Sequence, residues 1–201
     1  TFTCAPYLLD DAPAEGEAIG WSESNAVIYA NTVLGARSPK HPDYLDLFIA
    51  MTGRAPASGV YTQSGRVARK IIAISPPTTL SAQDDLFWPL LGWLAGRESP
   101  DHIPLLIGIE HLHPTKDDLK ALCAAFGTTS GAPMLHIAGH TPEGDRSPHA
   151  DASRRFIGKT DFIQAWKELN QGEMTVDLVA IGSPHASMNE VSRVADLFGD
   201  N

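Results

Sequence analysis

The segment from Glu23 to Arg37 concentrates polar side chains in a stretch that otherwise has the apolar spacing of a helix. Ser24 and Asn25 open it, and Asn31 lies in its middle. Such short polar side chains weaken helix interiors because they compete for backbone hydrogen bonds. Arg37 adds a planar guanidinium, which is suited to binding a carboxylate through two parallel hydrogen bonds. We therefore expect these groups to face a ligand.

Cys4, in the run Thr-Cys-Ala-Pro-Tyr, is a second candidate. A free cysteine is usually a small buried hydrophobic residue, but a thiolate on a proline-containing loop is also a ligand for a metal or an iron–sulfur cluster. Both interpretations stay open. Cys123 lies on the apolar face of a predicted helix, which indicates packing. The two cysteines form no paired motif, and this favours a reducing, cytoplasmic compartment.

Five of the eight histidines lie within or just after three predicted strands. The carboxyl ends of strands are where ligands bind in α/β proteins, so this distribution favours a site over packing. The five are His111 and His113 after a strand at 103–109, His136 and His140 within and after a strand at 133–138, and His185 after a strand at 176–181.

Each of these strand ends also has a purely structural interpretation. His111 and His113 either bind a metal or are simply exposed. His140 with Glu143 forms either the mouth of a site or only a turn between Gly139 and Pro142. Ser183 and His185 either hydrogen-bond an anionic substrate or merely connect a strand to a helix. The alternatives remain open at this level.

The elements that must position these side chains predict an α/β fold, with a mostly parallel sheet flanked by helices. Residues 1–68 have a helix-and-loop pattern, whereas residues 69–201 alternate strands with helices of about 10–15 residues, which is typical of βαβ units. We expect the two parts to form one compact unit. Strands are predicted at 70–74, 103–109, 133–138 and 176–181, and helices at 24–36, 43–52, 81–95, 115–126, 160–170 and 187–198.

Composition excludes several classes of partner. The chain has 201 residues and a formal net charge of −9, with lysines and arginines scattered along it. Nucleic-acid binding needs a basic patch, so we expect no nucleic-acid partner. No apolar run approaches the roughly 20 residues of a membrane-spanning helix, so we expect no membrane partner either.

Several motifs, in one order along the whole chain, closely resemble the aconitase X family, a divergent branch of the aconitase superfamily. They are Thr3 to Tyr7, Glu17, Trp21 to Asn31 and Gly35 to Arg37, then Gly53-Arg54-x-Pro56-x-x-Gly59, Gly139 to Glu143 and Ser183-Pro184-His185-x-Ser187. The resemblance implies an aconitase-like fold and a hydro-lyase that removes water from a small hydroxy carboxylate. It also implies an iron or iron–sulfur centre.

The resemblance further implies the substrate and the residues that act on it. Bacterial members of the family dehydrate cis-3-hydroxy-L-proline, and archaeal members act on mevalonate 5-phosphate. The absence of an obvious lysine or arginine clamp for a phosphate favours the former. Cys4 would be the metal ligand, Glu23, Ser24 and His140 catalytic residues, and Ser24, Asn25, Arg37, Glu143, Ser183 and His185 substrate-binding residues.

Two departures from the family pattern affect these expectations. Ser183 stands where many relatives have a cysteine, so no ligand can be placed there. The family enzyme is also about twice as long, which predicts that this chain is a piece lacking further cysteines and the swivel domain or small subunit that closes the site. One thiolate cannot hold a cluster, so we expect the piece alone to be inactive. A competing hypothesis is a non-catalytic α/β domain whose histidines bind a metal or an anion.

Overall fold

Four strands of the described chain form one parallel sheet in the order β3-β2-β1-β4. The computed structural model describes residues 3–78, 80, 84–173 and 175–199. The strands are β1 (Lys70–Ile74), β2 (Pro104–Ile107), β3 (His136–Ile137) and β4 (Ser153–Ile157). In register, Ile72 of the central β1 pairs with Leu106 of β2 and with Arg155 of β4. The predicted α/β fold with a parallel sheet is confirmed.

Six α-helices accompany this sheet within the described residues. They are α1 (Ser24–Tyr29), α2 (Asp43–Thr52), α3 (Phe87–Glu98), α4 (Lys116–Thr129), α5 (Lys159–Leu169) and α6 (Met188–Phe198). Helices α3 and α4 approach so closely that a Cβ on Gly92 would lie 2.2 Å from the Leu122 carbonyl oxygen. Only a glycine permits this contact. The core around them includes Phe87, Trp88, Leu106, Leu122 and Phe126.

The predicted strand at 176–181 is wrong. Described residues 175–187 have no strand pairing, and Val176, Leu178 and Ile181 are exposed. A short apolar run of this kind is typical of a buried strand, but no described strand pairs with these residues.

Strand β4 was not predicted from the sequence, although it pairs with β1 along all five of its residues. It is an edge strand, and Ser153, Arg154, Arg155 and Phe156 are all exposed. Charged side chains are common on sheet edges because they prevent pairing with another molecule. They also remove the apolar pattern by which a strand is recognised.

The predicted helix at 24–36 is not one uniform helix. Helix α1 continues as a π-helix over Ala30–Leu34, which ends at Gly35 in the left-handed conformation with φ 72°. Asn31 is buried here, and its side chain hydrogen-bonds the backbone of Ser38 and the carbonyl of Pro133. Its polar group therefore serves the fold, contrary to the expectation that it faces a ligand.

Helix termini agree only partly with the sequence. The sequence predicts helix caps at Thr115 and Thr160 and capping boxes at Ser81-x-x-Asp84 and Ser187-x-x-Glu190. Thr115 and Ser187 do cap α4 and α6, each through a reciprocal capping box. The cap predicted at Thr160 is wrong, because the backbone N–H of Gly158 donates to Asp161 at 2.9 Å and starts α5 one residue earlier. Helix α3 begins at Phe87, and Ser81 of the predicted capping pair lies outside the described residues.

Two helices contribute little to the core. None of the described residues of α2 or α6 is buried. Helix α2 presents one apolar face to solvent, formed by Tyr44, Leu47, Phe48 and Met51. Among the described residues, no helix is both long and apolar enough to cross a membrane.

Candidate active site

Cys4, Glu23 and Asn25 lie together at the start of α1. The Asn25 side-chain amide donates to the Cys4 carbonyl oxygen at 3.2 Å and to the Glu23 carboxylate at 3.0 Å. Glu23 is the N-cap of α1 and also accepts from the Asn25 backbone N–H. Ser24, the first residue of α1, is exposed beside them. The structure thus joins the two sequence features that were expected to form the site.

Tyr7 supports this group from the core. Its hydroxyl donates to the Asn25 side-chain oxygen at 3.1 Å, and its ring stacks on Tyr29 with centroids 4.1 Å apart. Burial, with neighbouring acidic groups, raises the pKa of Tyr7 well above its usual value, and burial raises that of Tyr29 to about 12. Tyr7 therefore stays a neutral O–H donor and fixes the orientation of the Asn25 amide.

His185 reaches the same place from the far end of the chain. Its backbone N–H donates to the Cys4 sulfur at 3.3 Å, and its ring Nδ1 lies 3.0 Å from the Thr3 hydroxyl. We call Cys4, Glu23, Asn25 and His185 the Cys4 cluster. Ser183 lies two residues before His185 and has a positive φ of 57°.

Lys120 holds His185 from the other side. The Lys120 side chain is 3% exposed, and its ammonium lies 3.4 Å from the His185 carbonyl oxygen and 3.2 Å from Asp117, with a further ion pair to Glu190. Burial alone would raise the pKa of Asp117, but hydrogen bonds from Ser187 and Lys120 lower it below its usual value. The ammonium is therefore balanced by carboxylates inside the protein.

Glu143 belongs to a different, buried group. It is 6% exposed, and its carboxylate pairs with Arg66 at 2.5 Å and with Arg146 at 2.6 Å. Arg66 also donates to the carbonyls of Asn31, Ala36 and Val60. This arrangement places Glu143 in an internal ion pair rather than at the mouth of a site.

The ends of β2 and β3 do meet, as expected of neighbouring parallel strands. His140 Nε2 lies 3.0 Å from the Ile109 carbonyl oxygen, so this nitrogen carries the proton and donates. Glu110 accepts from the Gly108 backbone N–H at 2.9 Å, which lowers the pKa of that carboxyl. His136 is instead buried in β3, with Nε2 2.7 Å from the Arg66 carbonyl oxygen.

The five histidines do not form a metal centre by themselves. Within the part of the chain that the structure describes, no group of three or more His, Cys, Asp or Glu side chains is arranged to hold a metal ion. His136 faces the core, His140 binds backbone, and His185 joins the Cys4 cluster. The ends of β2 and β3 therefore meet, but the histidines after them do not gather with His185 into one site in the described part of the chain.

Arg37 follows the turn at Gly35, and its backbone bridges to Ala18. One terminal nitrogen of its guanidinium donates to the Tyr61 carbonyl oxygen at 2.9 Å. Its Nε is buried and has no hydrogen-bond partner among the described residues. An unpaired buried donor is costly, so Arg37 retains capacity for an acceptor.

Sequence reasoning did not single out Tyr7, Lys120 or Arg66. Lys120 carried a detectable signal, because it lies among the core-facing positions Leu119 and Cys123 of an amphipathic helix. A buried lysine requires partners. They are Asp117 on α4 itself, Glu190 on α6 and the His185 carbonyl just before α6. Arg66 carried no such signal, since its partner Glu143 is 77 residues away in the sequence.

Comparison with known proteins agrees with this fold. The family model described as aconitase X first domain matches residues 1–64, and the aconitase X second domain matches residues 68–167. A solved structure of Thermococcus kodakaraensis aconitase X in its holo-form superimposes with a TM-score of 0.86 at 29% identity, covering 97% of this chain and 49% of that one.

Curated relatives match almost the whole chain. Proteins named cis-3-hydroxy-L-proline dehydratase are 45% identical in Hypocrea jecorina and 44% identical in Pseudomonas aeruginosa, over 98% of this chain and 34% of theirs. The phosphomevalonate dehydratase large subunit of Methanothermobacter thermautotrophicus is 34% identical over 100% of this chain and 49% of its own. The chain thus spans about a third to a half of these relatives. With both family models matched along it, the chain belongs to the aconitase X family.

Proposed function

We propose that this chain forms part of a hydro-lyase that removes water from a small hydroxy carboxylate, with cis-3-hydroxy-L-proline as the substrate. The support is the difference in similarity between two groups of relatives. Identity is 45% and 44% to proteins named for that substrate, against 34% and 31% to two phosphomevalonate dehydratase large subunits.

The observation that carries the proposal is the Cys4 cluster. The half-buried Cys4 is joined to residues up to 181 positions away: its sulfur accepts from the His185 backbone N–H, and its carbonyl accepts from the Asn25 side-chain amide, which also donates to the Glu23 carboxylate. A thiol, a carboxylate, an amide and an imidazole are thereby gathered at one place. Packing alone does not require these four chemical types at one exposed edge. We infer that they line the substrate site together with Ser24 and Ser183.

The described residues do not fit a complete iron or iron–sulfur centre. Cys4 is a soft ligand suited to iron, but in the described ranges no third acidic, histidine or cysteine side chain completes a group with it. A cluster usually requires several thiolates. Any further ligands would come from parts of the enzyme beyond this chain, so we expect the 201-residue chain alone to hold no intact cluster.

Dehydration next to a carboxylate needs a base for the proton and a cation for the acid group. Arg37 has the guanidinium that the second task needs, but its contacts with Ala18 and Tyr61 lie at the opposite end of the helical segment 24–34 from the Cys4 cluster. The Glu143 carboxylate is already occupied by two arginines. We keep His140 as a weaker catalytic candidate, since its Nε2 is committed to a backbone carbonyl. No base is assigned.

Mevalonate 5-phosphate is the competing substrate. A phosphate needs uncommitted cations, and the lysine that contacts the Cys4 cluster is already paired with Asp117 and Glu190. The unphosphorylated amino acid requires no such clamp. This contact pattern supports the same choice as the sequence identities.

We also propose that a further domain or a small subunit completes the site. The relatives named large subunit are matched over 49% of their length, whereas those named without a subunit are matched over 34% and are correspondingly longer. The site would close when this additional part docks.

Both cysteines are free, which supports a reducing, cytoplasmic setting.

The test is dehydration of both substrates by the intact enzyme that carries this chain. We expect turnover of cis-3-hydroxy-L-proline and none of mevalonate 5-phosphate. Cys4→Ala should lower kcat by about 10²–10³-fold, a loss typical of removing a group that acts on the reacting atoms. Cys123→Ala, a buried cysteine on α4, is the matched control and should retain turnover. Normal turnover by the Cys4→Ala enzyme would refute the assignment.

A further inference from the structure

Lys120 is a buried cation with no place in the chemistry described so far. We propose that it is a positioning residue. It holds the segment 183–187 against the N-terminal loop, which carries Thr3 and Cys4, and so keeps the His185 backbone N–H on the Cys4 sulfur. The proposal deepens the proposed function and rests on it only in treating the Cys4 cluster as the site. Lys120 itself touches neither the Cys4 sulfur nor the Asn25 amide.

The first step is the burial and pairing of the lysine. Its side chain is 3% exposed on the core-facing side of α4. The ammonium has three donors, and it has three acceptors, Asp117, Glu190 and the His185 carbonyl. Because burying an unpaired ammonium is very costly, these three acceptors are held to it.

Among the described residues, His185 alone connects Lys120 to the Cys4 sulfur. The carbonyl of His185 faces Lys120, and its backbone N–H donates to the Cys4 sulfur at 3.3 Å. Both backbone groups of His185 are therefore fixed, one from α4 and one from the N-terminal loop. The Thr3 hydroxyl, 3.0 Å from the ring Nδ1, fixes the imidazole as well.

The third step is that little else holds this segment. Among the described residues of α6 none is buried, and Ile181, Gly182, Ser183, His185 and Ala186 are exposed. A cleft of about 1040 Å³ lies between the segment and α4. Hydrogen bonds and ion pairs at the start of α6 therefore hold this segment, whereas apolar packing holds the core. Besides Lys120 they include the Ser187 hydroxyl, which donates to Asp117 at 2.9 Å.

The experiment measures amide hydrogen exchange at His185 and along α4 in Lys120→Met. Methionine keeps the unbranched length and removes the ammonium. We expect the His185 amide to exchange about tenfold faster or more, as for a segment that opens locally, while the amides of 116–129 stay protected. The control is Arg193→Met, which breaks the exposed α6 ion pair with Asp85. It should leave His185 exchange within about twofold.

A double-mutant cycle separates positioning from general stability. If Lys120 acts by holding His185 on Cys4, then Lys120→Met should accelerate His185 exchange much less in a Cys4→Ala background. Ser187→Ala tests the same tie with the lysine in place and should give a smaller acceleration in the same direction.

Several results would overturn the proposal. Unchanged His185 exchange in Lys120→Met would do so, as would equal acceleration along α4 or full additivity with Cys4→Ala. If Lys120→Met does not fold, then unchanged exchange in Ser187→Ala decides against it. Hydrogen exchange does not depend on turnover. If the unmutated enzyme did not dehydrate cis-3-hydroxy-L-proline but the variants showed the expected exchange, the proposed function would be rejected and the role of Lys120 would stand.

Discussion

Residues 68–167 and residues 175–199 use similar apolar residues with opposite results. Ile72, Leu106 and Leu122 are fully buried in the first region, whereas Leu178 and Leu197 are 84% and 86% exposed in the second. The first region is held by apolar burial between the sheet, α3 and α4. The second is held by ion pairs and hydrogen bonds at the start of α6.

An apolar pattern therefore predicts burial only where a partner surface exists. Apolar burial is non-directional and contributes in proportion to area, so the first region gains stability from many contacts at once. The second region depends on a few directional contacts around Lys120. Residues 175–199 should therefore open locally at a lower free energy than the core. His185 lies within this region, so it should leave Cys4 when the region opens.

The largest expected effect comes from the buried ion pair between Arg66 and Glu143, which ties the packed region to the residues before it. Arg66→Met should lower the free energy of unfolding by about 3–5 kcal/mol. Glu143 would keep only the half-exposed Arg146, and three carbonyls would lose their donor. Urea denaturation measures this. Arg155→Met is the control: Arg155 is about half exposed and pairs with Glu98 and Asp161, so its loss should cost less than about 1 kcal/mol. Equal losses would show that burial of the pair does not matter.

A matched pair of leucines tests the comparison directly. Leu122→Ala, at 0% exposure in α4, should cost about 2–5 kcal/mol because a cavity is left in the core. Leu197→Ala in α6 should change stability by no more than about 0.5 kcal/mol. Both are measured by thermal or urea unfolding. A large loss for Leu197→Ala would mean that α6 is packed after all.

The smallest effect is a dependence on pH that is confined to α6. The folded pKa of Asp117 lies below its usual value of 3.8, so its contribution is complete above that pH and is lost as the pH falls through the folded value. We expect the amides of α6 to exchange faster in acid, after correction for intrinsic rates, before those of α3 and α4. Asp117→Asn should reduce this pH dependence. Simultaneous opening of all three helices would contradict it.

The fold class was predictable because β1 and β2 are short apolar runs between recognisable helices. Strand β4 was not, since its charged outer residues remove that pattern. The strand at 176–181 was predicted wrongly because a short apolar run does not show whether a partner strand exists. For the site, the sequence indicated Cys4, Asn25 and His185, and the structure joins them. Glu143 was open to two interpretations because its environment depends on Arg66, a contact that no local pattern records.

The contact between α3 and α4 has a consequence for how this sequence can diverge. A Cβ on Gly92 would lie 2.2 Å from the Leu122 carbonyl oxygen, and one on Gly96 would lie 2.1 Å from the Thr129 hydroxyl. The Leu122 carbonyl is backbone and cannot be exchanged for a smaller neighbour. No other amino acid can therefore replace Gly92 unless the two helices move apart. At position 96, in contrast, a smaller residue in place of Thr129 would relieve part of the clash.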